Sequence, residues 1–282
     1  MSEAITISNE KVESKNFTYD DLQIYIKKGG KGIPVNKPYD PKVFWDSMGD
    51  KFYKAFDKPE KCGFGVEFFI DRLKQLQPID SLLDVGCGFG RLAPFLLQAQ
   101  VCKQYTGIDI AESIVKCSEN YLDISVKEEN ELEKVQQFFM NGNISDDTKT
   151  LIAKDVNSLL EVIKKKQDER AKKQTVDYRD KIKLSQGDSR KIQFDSNSFD
   201  CVIVNEVLQN MNYQDAIESC REIARVSKSN IVLLERWAFP NEHSEPHVWS
   251  HNYSQIFTEL GLDVLQTTTI SQGLQGLVVR KR

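Results

Sequence analysis

The 282 residues carry 38 Lys and Arg against 42 Asp and Glu, a formal net charge of −4, with 40% hydrophobic residues, 15 Gly and 8 Pro. This is ordinary globular composition, which excludes collagenous, low-complexity and wholly disordered chains. A mildly acidic balance gives no general attraction to nucleic acid, and the apolar runs, such as residues 201–204 and 231–234, fall far short of the roughly 18 residues of a membrane helix.

Residues 1–38 read as peripheral: 1–11 hold two glutamates and no apolar core of a secretory signal, only 22–26 suggests a short strand, and a Gly- and Lys-rich loop follows. Asp40-Pro41 opens a helix as cap and first helical residue, with Phe44, Trp45, Phe52, Tyr53 and Phe56 on its apolar side. A second helix is expected over 65–77, where Val66, Phe69, Ile70, Leu73 and Leu76 recur at helical spacing. Strands and helices then alternate: strand 81–85, helix 91–98, strand 104–109, helix 112–121, strand 181–186, strand 199–205, helix 213–226, strand 231–236, helix 253–260, and strands 264–270 and 277–280. This order implies an α/β fold, a Rossmann-like, doubly wound, mostly parallel seven-stranded sheet with an antiparallel C-terminal hairpin. One segment, about 125–180, breaks the rhythm. It is dense in Lys, Glu, Asp and Gln, turns at Asn141-Gly142-Asn143, and reads as a helical insertion: a solvated surface hairpin, a substrate lid or a dimer arm. The division expected is therefore 1–78 as N-terminal extension and cap helices, and 79–282 as the main domain containing the insertion. The six cysteines, at 62, 87, 102, 117, 201 and 220, form no C-x-x-C and no zinc spacing, consistent with a reduced, cytoplasmic protein.

The run Leu82-Leu83-Asp84-Val85-Gly86-Cys87-Gly88-Phe89-Gly90-Arg91 joins a strand to a helix through three alternating glycines. Glycine lets the chain turn tightly and lets a ligand approach the backbone. The helix start offers free N–H groups, and the crevice at the carboxyl ends of such strands is where ligands bind. Arg91 stands where a dinucleotide-binding G-x-G-x-x-G run would place its third glycine. The spacing Asp-x-Gly-x-Gly-x-Gly resembles instead the first motif of class I S-adenosylmethionine-dependent methyltransferases, and the resemblance extends from about Ile79 to the C-terminus, the insertion excepted. It implies S-adenosyl-L-methionine as cofactor. It also implies a cofactor site of Asp84, Gly86, Cys87, Gly88, Gly90 and Arg91 at the loop, Asp109 and Ile110 at the ribose, Asp188 and Ser189 at the adenine, and Asn205 and Glu206 at the sulfonium end.

The resemblance implies methyl transfer to an acceptor, and the residues narrow which. Enzymes that methylate exocyclic base amines typically carry Asn/Asp-Pro-Pro-Tyr/Phe after the fourth strand, where this chain has Asn205-Glu206-Val207-Leu208; no cysteine follows a proline, as pyrimidine C5 methylation requires. The three histidines, His243, His247 and His251, cluster after the fifth strand with Trp237, Phe239 and Trp249 nearby. A metal site on this spacing is opposed by Pro246 and by the lack of further ligands. A neutral imidazole of His247 or His251 is the candidate general base. The expected acceptor is a small polar molecule methylated at a hydroxyl or amine. The alternatives are a protein or RNA docked on the Lys-rich insertion, and a cofactor-binding subunit without catalysis. A homodimer through the insertion is a further expectation.

Overall fold

The computed structural model describes residues 16, 18–20, 39–56, 65–122, 178–237, 247–271 and 273–282. By its contacts the chain divides into two compact units, 1–118 with 181–282, and 119–180. The expected strand at 22–26, the helices of the charged segment with their lid, docking and dimer-arm readings, and Phe239 and His243 lie outside the described residues. The whole sheet belongs to the first unit.

Two short helices come first, α1 (Pro41–Met48) and α2 (Asp50–Phe56), where the sequence suggested one. Gly49, at φ 51°, ends α1, so the aromatic face is split between two axes. The Asp40 carboxylate accepts from Val43 N at the start of α1, with Pro41 inside it. Helix α3 (Val66–Gln75) buries Val66, Phe69 and Leu73. Then come β1 (Ser81–Val85), α4 (Ala93–Gln98), β2 (Gln104–Asp109), α5 (Glu112–Val115) and α6 (Ser118–Leu122). The second half holds β3 (Ile182–Gln186), β4 (Phe199–Asn205), α7 (Tyr213–Val226), β5 (Ser227–Arg236), α8 (Tyr253–Glu259), β6 (Asp263–Ser271) and β7 (Leu274–Arg280).

The seven strands lie in the order β3-β2-β1-β4-β5-β7-β6, parallel from β3 to β5, with β7 antiparallel to both neighbours. The chain builds outward from β1 through β2 to β3, then returns to the other side of β1 with β4. The reversal places a crevice at the carboxyl ends of β1 and β4, the position where open α/β sheets bind ligands. The central strands are buried on both faces, and the largest apolar cluster joins β1, β4 and β5 to Ala216, Cys220 and Ile223 of α7 and Tyr253, Ile256 and Phe257 of α8. A run such as Cys201-Val202-Ile203-Val204 suits this position because it has no polar face to solvate.

Strand β5 starts at Ser227, four residues before its expected start, and three further boundaries differ from the sequence expectation for local reasons. Helix α4 starts two residues late, because Gly90 N and Ala93 N close turns on Cys87 O and Gly90 O at 3.0 and 3.1 Å and the loop consumes Arg91 and Leu92. The helix expected over 112–121 breaks at Cys117, whose N–H donates to Ile114 O three residues back. The hairpin strand β7 begins at Leu274, next to Gly273 at φ 82°, and pairs back to Arg236. Among the described residues no helix is long and apolar enough to cross a membrane.

Candidate active site

The glycine loop is built by backbone constraint. Gly86, Gly88 and Gly90 adopt φ of 76°, 58° and 79°, a region that costs other residues a clash between Cβ and the carbonyl. Gly86 N and Cys87 N both donate to Ile108 O, at 2.7 and 3.0 Å, which ties the loop to the end of β2. A side chain on Gly86 would strike Val207, its Cβ falling 2.1 Å from Val207 Cγ2, and one on Gly88 would stand 3.2 Å from the Phe52 ring. Asp109 ends β2 beneath this loop. Its Oδ2 accepts from Gly88 N and its Oδ1 from Ala111 N, both at 2.9 Å. Burial pushes the Asp109 carboxyl up, against the pull of these two donors.

The other strand ends converge on the same place. At the end of β3, Gly187 N donates to Asp109 O at 2.8 Å. Asp188 is gripped by Arg190, whose Nη2 lies 2.7 Å from Oδ2 and whose backbone N lies 2.9 Å from Oδ1. Burial raises the Asp188 carboxyl, but these Arg190 hydrogen bonds outweigh it and hold it below the usual range. Beyond β4, Glu206 sits at φ 56°, an uncommon conformation for a residue with a long side chain. It is held there by Glu206 N donating to Leu234 O at 2.8 Å and by Asn210 Nδ2 donating to Glu206 O at 2.9 Å. Burial raises the Glu206 carboxyl, and the charges of Arg236 and Arg91 oppose the rise. Asn205 Oδ1 and Asp84 Oδ1 are buried without a hydrogen-bond partner.

These groups line one cavity of about 440 Å³. Of the residues the sequence singled out, Asp84, Gly86, Cys87, Gly88, Arg91, Asp109, Ile110, Asp188, Ser189, Asn205, Glu206 and His247 border it, whereas Gly90 and His251 do not. Gly90 is instead a packing glycine, since a Cβ there would fall 2.7 Å from Leu184 Cδ1.

A family model described as a methyltransferase domain matches residues 152–234. The chain has the fold of S-adenosylmethionine-dependent methyltransferases. Its fold is similar to that of magnesium protoporphyrin IX methyltransferase from Synechocystis PCC 6803 solved with bound SAM, at 15% identity and a TM-score of 0.53, over 88% of this chain and 100% of that one. A putative O-methyltransferase from Nostoc punctiforme PCC 73102 is similar at 12% identity and a TM-score of 0.54, over 93% and 68% of the two chains. No curated protein matches by sequence. S-adenosylmethionine suits the cavity on the structure's own terms: Gly86 and Gly88 present backbone at its border, and Asp84 and Asn205, which also border it, each keep a buried side-chain oxygen without a donor.

The cavity wall also has an aromatic part, from Phe44, Trp45 and Phe52 of α1 and α2 together with His247. His247 is 8% exposed and stacks on Phe44, with ring centroids 4.7 Å apart and planes at 30°. Tyr39 braces Phe44 at 5.5 Å and donates its hydroxyl to Asn210 O at 3.0 Å, tying the N-terminal aromatic group to the turn after β4. The two candidate bases therefore separate. His251 is 4% exposed and does not border the cavity; its Nε2 donates to Met211 O at 2.9 Å, and burial pulls its pKa down. Trp249 packs against Tyr39, Trp237 is 41% exposed, and Tyr53 packs on Phe89; none of the three borders the cavity. Among the described residues no cluster suited to a metal ion occurs.

Sequence reasoning missed Glu235. This fully buried carboxylate accepts from Val207 N at 2.8 Å and Leu208 N at 3.2 Å through Oε1, and from Gln209 N at 3.1 Å through Oε2. It fixes the turn that presents Asn205 and Glu206. Burial pushes its pKa up to about 8 against those three donors. An acid closing the apolar run 231–234 was the signal available, since a charge at the inner end of a central strand is kept only with partners.

Proposed function

We propose that this methyltransferase acts on a small molecule, at a hydroxyl or amine. The observation that carries the reading is the cavity's lining: it takes in the glycine loop and an aromatic group of Phe44, Trp45 and His247, and its volume of about 440 Å³ is that of a small-ligand site. In this reading Asp109 receives the ribose hydroxyls and Asp188 with Ser189 borders the adenine. Asp84 faces the methionine ammonium, and Asn205 and Glu206 line the reacting end.

S-adenosylmethionine supplies a methyl on a sulfonium, a leaving group already activated. The chain's contribution is then alignment and exclusion of water, which is proximity catalysis. Phe44, Trp45 and Phe52 shield the reacting end from solvent, and the turn held by Glu235 fixes Asn205 and Glu206. His247, stacked on Phe44, takes the acceptor's proton where the nucleophile must lose one.

Two measurements test this. Calorimetry with S-adenosylhomocysteine should show binding that Asp109→Ala weakens by about tenfold or more, the loss of a charge-assisted acceptor pair; unaltered binding removes Asp109 from the cofactor site. A labelled methyl donor, incubated with the protein and a cell extract, should place label in the small-molecule fraction. Label confined to protein or RNA would overturn the small-molecule reading.

A further inference from the structure

Asp84 is 1% exposed, borders the cavity, and has one oxygen with a partner and one without. The partner is the Tyr105 hydroxyl, which donates to Asp84 Oδ2 from the neighbouring strand β2. Tyr105 is itself 1% exposed and does not border the cavity. The strand register makes the contact possible. Asp84 stands opposite Gly107 of β2 and Ile203 of β4, so neither directly paired residue offers it a polar group. The phenol reaches it diagonally from two residues before Gly107.

We propose that Tyr105 is a positioning residue for the cofactor's methionine ammonium: by engaging Asp84 Oδ2 it turns the carboxylate so that Oδ1 is left to receive that ammonium. The proposal rests on the reading that Asp84 belongs to the cofactor site. A buried carboxylate with no donor would take up a proton and lose its attraction for a cation. Burial pushes the Asp84 pKa up to about 7, and the Tyr105 hydrogen bond and the charge of Arg91 restrain the rise, while the charge of Asp109 adds to it. The remaining ionisable neighbour, the Cys87 thiol, is itself raised by burial and stays neutral. Tyr105 thus keeps Asp84 ionised and oriented together, with no contact to the ligand.

The test is calorimetry of S-adenosylhomocysteine and of 5′-methylthioadenosine, which lacks the amino-acid end, across pH 6 to 9.5. Wild type, Tyr105→Phe and Asp84→Asn are compared as affinity ratios at each pH, so that titration of the ligand cancels. Removing one charge-assisted hydrogen bond should move the Asp84 titration up by about one unit. Tyr105→Phe should therefore lose about tenfold in S-adenosylhomocysteine affinity at pH 6 and almost nothing at pH 9.5. Asp84→Asn should show the opposite dependence, with its loss greatest at high pH, where the wild-type carboxylate is fully charged. Methylthioadenosine ratios should stay flat for both variants. A Tyr105→Phe loss of equal size at all pH values is what a merely structural role gives, and it would overturn the proposal. So would a pH-independent loss in Asp84→Asn, or the same pH-dependent loss for methylthioadenosine. If wild type binds neither ligand, the cofactor reading of the cavity fails first, and the Tyr105 role falls with it.

Discussion

Replacing Gly86 by alanine perturbs the loop at its tightest point, and the structure allows the cost to be worked out. At φ 76° the Gly86 backbone already lies in the left-handed region, where an added Cβ costs about 1–2 kcal/mol of strain. The same atom would fall 2.1 and 2.7 Å from the two methyl carbons of Val207, so Val207 must move, and overpacking of this kind costs about 1–3 kcal/mol. Together Gly86→Ala should lose about 2–5 kcal/mol, a fall in Tm on the order of 5–15 °C for a unit of this size. The displacement also reaches the site, because Val207 N–H is one of the Glu235 donors and Val207 comes directly after Asn205 and Glu206. Binding of S-adenosylhomocysteine should therefore weaken with stability. The deciding assay is a double-mutant cycle with Val207→Ala, which removes the struck methyls. Urea unfolding of the four proteins should give a favourable coupling of about 1–3 kcal/mol, the overpacking part of the cost, with the strain part remaining. Additivity of the two substitutions to within about 0.5 kcal/mol would refute the claim that Gly86 is required by contact with Val207.

Glu235→Gln turns one of the two acceptor oxygens into a donor facing a backbone N–H, and should lower the urea midpoint by the equivalent of about 1–3 kcal/mol at unchanged m-value; an unmoved midpoint would remove Glu235 as the anchor of the turn. The two histidines should behave differently. His247→Gln should lower kcat while leaving S-adenosylhomocysteine affinity within about twofold, because in the proposed reading the ring is part of the acceptor wall and the cofactor is held elsewhere; full turnover would exclude it as the base. His251 is buried with its pKa pulled below the unfolded value of about 6.5, so the unfolded chain takes up the proton first as pH falls. Its stabilising contribution is complete above that value and declines as pH drops through the window beneath it. His251→Gln, which still donates to Met211 O but does not titrate, should flatten this part of the Tm–pH curve and keep activity.

What could be read from the sequence was whatever a residue's near neighbours decide. Strand β4 and helix α7 lie at their expected bounds because the signals are local: a β-branched run closed by Asn205, then Asn212 as cap accepting from Asp215 N at 3.0 Å. The alternating glycines and the acids at the strand ends were legible for the same reason. A doubly wound sheet shows two or three residues of each strand end to one crevice, so order along the chain nearly suffices to assemble them. The supports of those residues were not legible, because each is a contact across a distance the pattern does not encode. Tyr105 reads as an ordinary buried strand residue until the β1–β2 register sets its hydroxyl against Asp84. His247 and His251 are four apart and chemically identical in the sequence; only packing against Phe44 and Met211 O separates a cavity wall from an internal tie. Even Asp188 has a different first partner from the one its strand-end position suggests, since Arg190 grips its carboxylate from two residues away. The same division bears on specificity. In the proposed reading the cofactor end is set by residues at strand termini, whereas the acceptor wall comes from α1, α2 and the segment around His247, which the sheet order leaves unspecified. Substitutions at Phe44 or Trp45 should therefore alter which acceptor is taken before they alter cofactor affinity, and substitutions at Asp109 should do the reverse.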